Sequence, residues 1–512
     1  MPASPSQPIL ERRSAWRAVL VVLTVTMAMV VNTGNATAVS ISLPTMALEW
    51  HLEEAELQWP VAAYPLSSGC LLLAFGRVAD LHGRKLTFVT GSIFLTIFTL
   101  ACGFSNNVIT LDILRGIQGI GAAATIPASL GILAHEFKPG RARSLAFATF
   151  AAGAPLGGVL GTAIGGVLTQ YTAKTWRSSF WLMAGLNAAA ALGGILSIAP
   201  DSEEFLPEDK RIDWLGSFLV TAGLVLIVFV LSQGEIAPQR WRTNYIIALL
   251  VIGVFLIIVF CYWQHYLEKV NDEPNATKSL WTPPPIMKLS LWKRANGKYA
   301  AMMIIAFVNW CAFLTWTFWS QLYYQQYLHL HVIDTVVRFL PMFVSGVLCN
   351  VLVGTMAARI PVVYLAATGC ASLLFALIEP EKSYWAYGFP AAIVSVMGAD
   401  FVFSAGTLYA AKSLSGAIFN TMTQLGTAVG VTVSTVVFNQ VRLTQLEKGE
   451  DLLKAYQAAN WTGFAFGMIG TVLSILFFHN VGAVGDKKAK PSSEEDTLAM
   501  EPTPSDEKRA IL

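Results

Sequence analysis

The chain is short of charge. Only 13% of its 512 residues are Asp, Glu, Lys or Arg, about half of the ~25% usual in soluble proteins. With 54% hydrophobic residues and a mean hydropathy of +0.56, that deficit excludes an ordinary soluble domain and leaves a polytopic membrane protein. No GxxxxGK[ST] loop is present, so ATP is not the direct energy source. No catalytic triad signature appears, and the chain does not read as an enzyme. No CxxC or Cys/His spacing points to a metal. The six cysteines (Cys70, Cys102, Cys261, Cys311, Cys349, Cys370) fall in apolar runs and read as small packing residues. A net charge of +2 gives nucleic acid no foothold. A cleavable signal peptide is not expected either. The apolar run after Arg12, Arg13 and Arg17 continues to Leu43, too long for a signal core and long enough to span a bilayer.

What is present is a series of about fourteen spans of helical length. Their approximate limits are 18–43, 57–77, 86–104, 107–134, 144–168, 177–199, 214–233, 244–264, 299–322, 333–356, 362–379, 384–410, 413–438 and 460–480. Basic residues in short loops set the orientation. With the N-terminus cytoplasmic, the inner loops hold Arg77, Arg84, Lys85, Lys138, Arg141, Arg143, Lys210 and Arg211, while the first outer loop holds Glu49, Glu53, Glu54 and Glu56. The stretch Gln264 to Lys298, with Pro283, Pro284 and Pro285, reads as a linker. Gly76 has a counterpart in Gly354, and Gly157 one in Gly430, as two repeated halves would give. The expected division is a cytoplasmic tail (1–17), a six-helix bundle (18–199), two added helices with a cytoplasmic linker (200–298), a second six-helix bundle (299–480) and a disordered tail (481–512). The fold class is all-α, arranged 6 + 2 + 6.

Five stretches carry chemistry. Gly76, Asp80, Gly83, Arg84 and Lys85 lie in a loop between two spans. Glycines permit a tight turn, and an acid at the end of a helix gains nothing from the dipole. Asp80 therefore needs a base or another helix's N-terminus, and the loop reads as a charged latch; the rival reading is a basic loop with incidental glycines. In the fourth span, Asp112, Arg115 and Gln118 are spaced to share a helix face, and an arginine so deep needs a partner or a cavity. The rival is a structural ion pair. In the fifth span, Gly153, Gly157, Gly161 and Gly165 form a flat strip for a neighbouring helix, with Pro155 allowing a bend. Asp400 sits deep in the twelfth span, either as a proton-coupling acid or as a neutral hydrogen-bonded one. In the ninth span, Trp316, Trp319 and Tyr323 share a face, lining a cavity for flat organic molecules or cations or forming an aromatic belt at the lipid interface.

These stretches resemble the signatures of the major facilitator superfamily of transporters. The latch matches Gly-x-x-x-Asp-x-x-Gly-Arg-Lys, and Arg115, Gln118, Gly119 and Gly121 match Arg-x-x-Gln-Gly-x-Gly. Gly153, Pro155, Gly157, Gly158 and Gly161 resemble the antiporter signature, with Ala154 where a glycine is usual. Asn35 and Ser40 stand where drug–proton antiporters carry an acid and an asparagine, so a proton would need Asp112 or Asp400. Runs such as 59–66, 131–135, 146–153 and 420–426 narrow the resemblance to the fungal fourteen-span drug–proton antiporters of the aminotriazole-resistance and boron-efflux type, from Trp16 to Asn480. The resemblance implies a monomeric multi-pass exporter of a small organic molecule, driven by a proton gradient without a bound cofactor. The plasma membrane is the expected location, with a vacuolar or other organellar membrane as the alternative. It implies gating by Gly76, Asp80, Gly83, Arg84 and Lys85, proton coupling by Asp112, Arg115, Gln118 and Asp400, and a substrate cavity near Asn35, Trp310, Trp316, Trp319 and Gln424. The alternatives are uptake or facilitated passage of a small polar solute, ammonium- or borate-like, and a receptor that does not transport.

Overall fold

The computed structural model describes residues 15–52, 56–137, 141–201, 209, 211–234, 237–273, 279, 281–294, 296–356, 367–409 and 413–478. The helices are α1 (Ala15–Trp50), α2 (Gln58–His82), α3 (Arg84–Cys102), α4 (Val108–Glu136), α5 (Arg141–Tyr171), α6 (Arg177–Ser197), α7 (Trp214–Gln233), α8 (Asn244–Asp272), α9 (Ser290–Lys293), α10 (Lys298–Leu322), α11 (Val332–Met356), α12 (Ala367–Ala376), α13 (Tyr384–Tyr409), α14 (Ser413–Lys448) and α15 (Leu453–Phe478). Among the described residues, thirteen helices are long and apolar enough to cross a membrane. The expected span 362–379 lies partly outside them, and its described part is α12. Of the second latch around Gly354, residues 357–359 also lie outside the described residues.

The helix contacts repeat. α1 packs on α5, α2 on α4 and α3 on α6; α10 packs on α14, α11 on α13 and α12 on α15. Small residues set the first of these pairs in each set. A methyl on Gly157 would lie 2.2 Å from the Val30 carbonyl oxygen, and one on Gly430 would lie 2.5 Å from Cys311 Cα. The offset relating those glycines carries Asn35 of α1 onto Asn309 of α10 to within a residue; both are buried. The two sets of six meet along α2–α14 and α5–α11. α5 has a glycine face for each neighbour: Gly153, Gly157, Gly161 and Gly165 abut α1, while Gly158 and Gly166 abut Phe343 and Val336 of α11. α7 lies beside the α2–α14 seam, where Gln58 donates to the Ser232 carbonyl at 3.0 Å and the Ser232 and Thr432 hydroxyls are 3.0 Å apart.

Several boundaries differ from the sequence reading: α14 runs on to Lys448 and α15 begins at Leu453, and two further differences bear on the packing. α1 does not stop at Leu43; it runs through Pro44 to Trp50. Proline lacks the N–H that would hold the Ser40 carbonyl, and that carbonyl finds a donor elsewhere, as described below. The segment from Gln264 is not all linker. Gln264 to Asp272 completes α8, and the following chain docks on it. Gln264 Oε1 accepts from Met287 N at 3.1 Å, and Glu268 accepts from Leu289 N at 3.0 Å. Those polar side chains satisfy backbone that an apolar helix could not.

The aromatic belt is also corrected. Trp316, Trp319, Tyr323 and Tyr324 are buried. Trp319 stacks on Phe438 with ring centroids 4.1 Å apart and donates to Ser434 Oγ at 2.8 Å. Trp316 lies between Phe339 and Phe375. These rings form a core shared with Val39, Leu43 and Met46 of α1.

Candidate functional site

Three polar constructions stand out in the apolar bundle. The first lies two turns into α4, where it meets α1 and the start of α2. Arg115 has no exposed surface. Its Nε donates to the Pro60 carbonyl at 2.9 Å, and its Nη1 donates to the Asn35 carbonyl at 3.3 Å and to Gln118 Oε1 at 3.0 Å. Gln118 in turn donates to Thr99 Oγ1 at 2.7 Å. The guanidinium carbon lies 4.8 Å from the Tyr64 ring centre, and the Tyr64 hydroxyl donates to Asn32 Oδ1 at 2.6 Å. The charge is thus held by backbone carbonyls, an amide and a ring face. Asp112 is not its ion-pair partner: no salt bridge joins them, and Asp112 Oδ1 makes no hydrogen bond. One-face spacing brought the residues near each other, but the guanidinium turned to the carbonyls of α1 and α2. Arg115 Nη2 and both polar atoms of the Asn35 side chain are buried without a partner. Such groups are costly in an apolar interior and mark the place where water or a polar solute would be held.

The second construction is the latch. Asp80, in the last turn of α2, pairs with Arg84 at the start of α3 at 3.8 Å, across the Gly83 turn. Asp201, which the sequence reading missed, does more. It accepts from Arg84 N at 2.5 Å and lies 3.9 Å from the guanidinium Nη1. It therefore caps α3, whose N-terminus carries the positive end of the dipole. Gly83 makes the turn with φ +98, which only glycine adopts without strain. Lys85 and Arg17 donate to the carbonyls of Ile195 and Ser197 at the end of α6, where positive charge is favoured. Gly76 lies within α2. Among the described residues, these hydrogen bonds and ion pairs of the latch all stay within the first part of the chain. Arg77 extends it by donating to the Asp209 carbonyl at 3.0 Å. The bidentate hydrogen bonds from Arg211 hold the Asp209 carboxyl down at about 2. Its folded-state pKa is depressed, so any stability it adds is complete above the usual carboxylate range and lost only as pH falls toward 2. This clasp is expected not to titrate between pH 5 and pH 8, which thermal melts of Asp209→Asn across that window, parallel to the parent, would check.

The third construction joins the two sets of six. A methyl on Gly346 of α11 would lie 3.5 Å from Pro155 Cβ of α5 and 3.6 Å from Asp400 Oδ2 of α13. The acid of the twelfth span, the proline of the fifth and a glycine that no motif flagged thus meet where the halves touch. Toward the other face, Gln325 donates to the Ile41 carbonyl at 3.3 Å and Gln170 Oε1 accepts from Ile333 N at 3.1 Å. Gln321 Nε2 donates to the Ser40 carbonyl, the one that Pro44 leaves without its helical N–H. The mouth at that face is shut by these contacts and by the aromatic core. Pro44→Ala, which restores an N–H to compete for that carbonyl, is expected to loosen the closure. A cysteine placed at Leu43 should then react severalfold faster with a water-borne maleimide; an unchanged rate would remove Gln321 from the gate.

The expected substrate residues do not converge. Asn35 lies beside Arg115. Gln424 lies at the α2–α14 seam, its Cβ 2.8 Å from where a methyl on Gly69 would sit. Trp310 is half-buried near Phe403, with ring centroids 5.9 Å apart. Trp316 and Trp319 belong to the aromatic core. Among the described residues no group of His, Cys, Asp and Glu could hold a metal.

The family profile described as Major Facilitator Superfamily matches residues 25–211 and 202–431. The chain is 28% identical to "Efflux pump terJ" of Aspergillus terreus, covering 87% of this chain and 85% of that protein. It is 25% identical to "Aminotriazole resistance protein" of Saccharomyces cerevisiae, covering 94% of this chain and 88% of that one. The crystal structure of the human organic anion transporter MFSD10 (TETRAN) shares the fold, with a TM-score of 0.59 at 14% identity over 89% of this chain and 99% of that chain.

Proposed function

We propose that this chain, which belongs to the Major Facilitator Superfamily, exports a small organic molecule in exchange for protons by rocking its two halves about a shared centre. It is a multi-pass membrane transporter; direction and coupling are the proposal. The names of the efflux pump and resistance protein to which it is similar favour export. The basic residues of the latch support a cytoplasmic position for that face. The plasma membrane is the proposed location.

One observation carries the coupling: Asp400 lies beside Gly346, which also faces Pro155, where α11, α13 and α5 come together. An acid there changes surroundings whenever the halves move, and an intramembrane acid that alternates between wet and dry settings exchanges a proton as it does so. Arg115 holds the first half's polar centre, and Asp112 stands near its far end as a second acid. The latch around Asp80, Asp201 and Arg84 fixes the cytoplasmic ends of α2, α3 and α6, so that the first half moves as a unit.

The test begins with a sensitivity screen of cells with and without the gene, which selects a compound. Flux of that compound is then followed in inside-out vesicles under an imposed pH gradient. Asp400→Asn should abolish gradient-driven flux while leaving exchange of labelled for unlabelled compound intact. Gradient-driven flux at the parent level would overturn the coupling. A second reading, facilitated passage of a small polar solute, is favoured by Asn35, which cannot titrate and whose side-chain atoms are unpartnered. Flux indifferent to the gradient in the parent protein would select it.

A further inference from the structure

A groove of about 580 Å³ runs down the outside of the second half between α11 and α13. Pro341, Ser345 and Cys349 of α11 and Phe389, Met397 and Phe401 of α13 are among its walls. Spacing of three, seven and eleven residues puts Arg338 on the same stripe of α11 as Pro341, Ser345 and Cys349. Arg338 therefore stands at the groove's end nearest the shut mouth. Its guanidinium lies 5.0 Å from the Tyr324 ring centre and 5.6 Å from that of Tyr384. The Tyr384 hydroxyl donates to its carbonyl at 2.7 Å. Two rings thus fix the cation in place, yet among the described residues no carboxylate pairs with it and no acceptor takes its N–H groups. An arginine held so firmly and left without an anion is built for one.

Position in the bilayer says which anion. Trp385, next to Tyr384, is 68% exposed, and an exposed tryptophan at the start of a spanning helix sits at headgroup level. Below it the groove is apolar and open to the side, with Val344 60% exposed at its rim. From Val337 to Cys349 is twelve residues of helix, ~18 Å, close to the ~15 Å half-thickness of a hydrocarbon core. We infer that the α11–α13 groove binds one anionic glycerophospholipid, its phosphate on Arg338 and one acyl chain lying in the groove. The chain's end reaches Phe401 and Cys349, beside Gly346 and Asp400. A lipid seated there would touch the junction that moves when the halves rock. The inference does not depend on the direction or coupling of transport.

Native mass spectrometry of the full chain, titrated with phosphatidylglycerol in detergent, tests it. The parent should retain one lipid at concentrations where Arg338→Gln retains none, an affinity loss of about tenfold or more, as for one charge-assisted contact. Val344→Trp fills the groove from its exposed rim and should lose the same lipid with Arg338 intact. Inorganic phosphate in excess should not displace the lipid. Parent-level retention by either variant, or displacement by phosphate alone, would overturn the assignment. Melting of each variant without lipid serves as the check on folding.

Discussion

Arg115→Lys is expected to lower transport about a hundredfold while leaving a folded protein. The guanidinium makes three hydrogen bonds in a fixed fork, to Pro60, Asn35 and Gln118. An ammonium keeps the charge but cannot reach three acceptors set for a planar donor. Hydrogen bonds to a charged group contribute about 1.5–3 kcal/mol each. Losing the fork while keeping one contact therefore removes on the order of 3 kcal/mol, or about a hundredfold. The network ties α1, α2 and α4 together at the level where Asn35 is open for a partner, so the loss falls on the step in which the centre is reorganised. Vesicle flux normalised to protein eluting as a single peak in gel filtration reads the effect. Arg115→Gln should be worse, since Tyr64 then faces no cation and the carbonyls keep only a weaker donor. A lysine variant that transports at the parent rate would show that charge alone matters there and that the fork does not.

The second large effect is expected at Gly157 and Gly161. A methyl on Gly161 would lie 2.1 Å from Thr37 Oγ1 and 2.5 Å from the Gly34 carbonyl oxygen; one on Gly157 would lie 2.2 Å from the Val30 carbonyl oxygen. The carbonyl obstructions are backbone, which cannot swing aside. Alanine at either position must separate α1 from α5, and overpacking of this kind costs about 1–3 kcal/mol or more. We expect Gly157→Ala to cut both the yield of monodisperse protein and the flux of what remains. Gly185→Ala, on α6 with open space around it, is the control and should do neither. Normal yield and flux in Gly157→Ala would mean that the α1–α5 contact is looser than described. Gly158→Ala is milder in packing, since it meets only the Phe343 ring at 3.0 Å. Because that ring belongs to the other half, its effect should fall on flux more than on yield.

Much of this architecture is legible in the chain, for identifiable reasons. Long apolar runs separated by basic loops leave few alternatives to a helical bundle, and the glycine offsets hint at its repetition. The α5 strip reads directly from its four-residue spacing. What does not read is anything that depends on which distant segment arrives. Asp201 looks like an ordinary acid after a span, and only the packing of α6 beside α3 makes it a cap. Pro44 reads as a helix end, because the sequence does not reveal that Gln321 will take the carbonyl it frees. Asp112 and Arg115 share a face, yet spacing along a helix cannot say whether backbone carbonyls from α1 and α2 will be closer. Trp316 and Trp319 fit a lipid belt as well as a core until Phe438 and Phe375 are placed. Gly346 and Arg338 carry no motif at all.

The central claim is that the two halves rock, opening the mouth now closed by Gln321, Gln325 and the aromatic core. It is tested most directly by electron–electron distance measurements between spin labels at Tyr171 of the first half and Lys382 of the second, with the exposed Cys261 and Cys370 replaced by serine. The account predicts two distance populations in liposomes, the shorter one matching the closed face, with the longer one gaining when the selected compound is added or the pH is changed, and with Asp400→Asn blunting the response to pH. A single distance that stays fixed under every condition, in protein that is transporting, would contradict it.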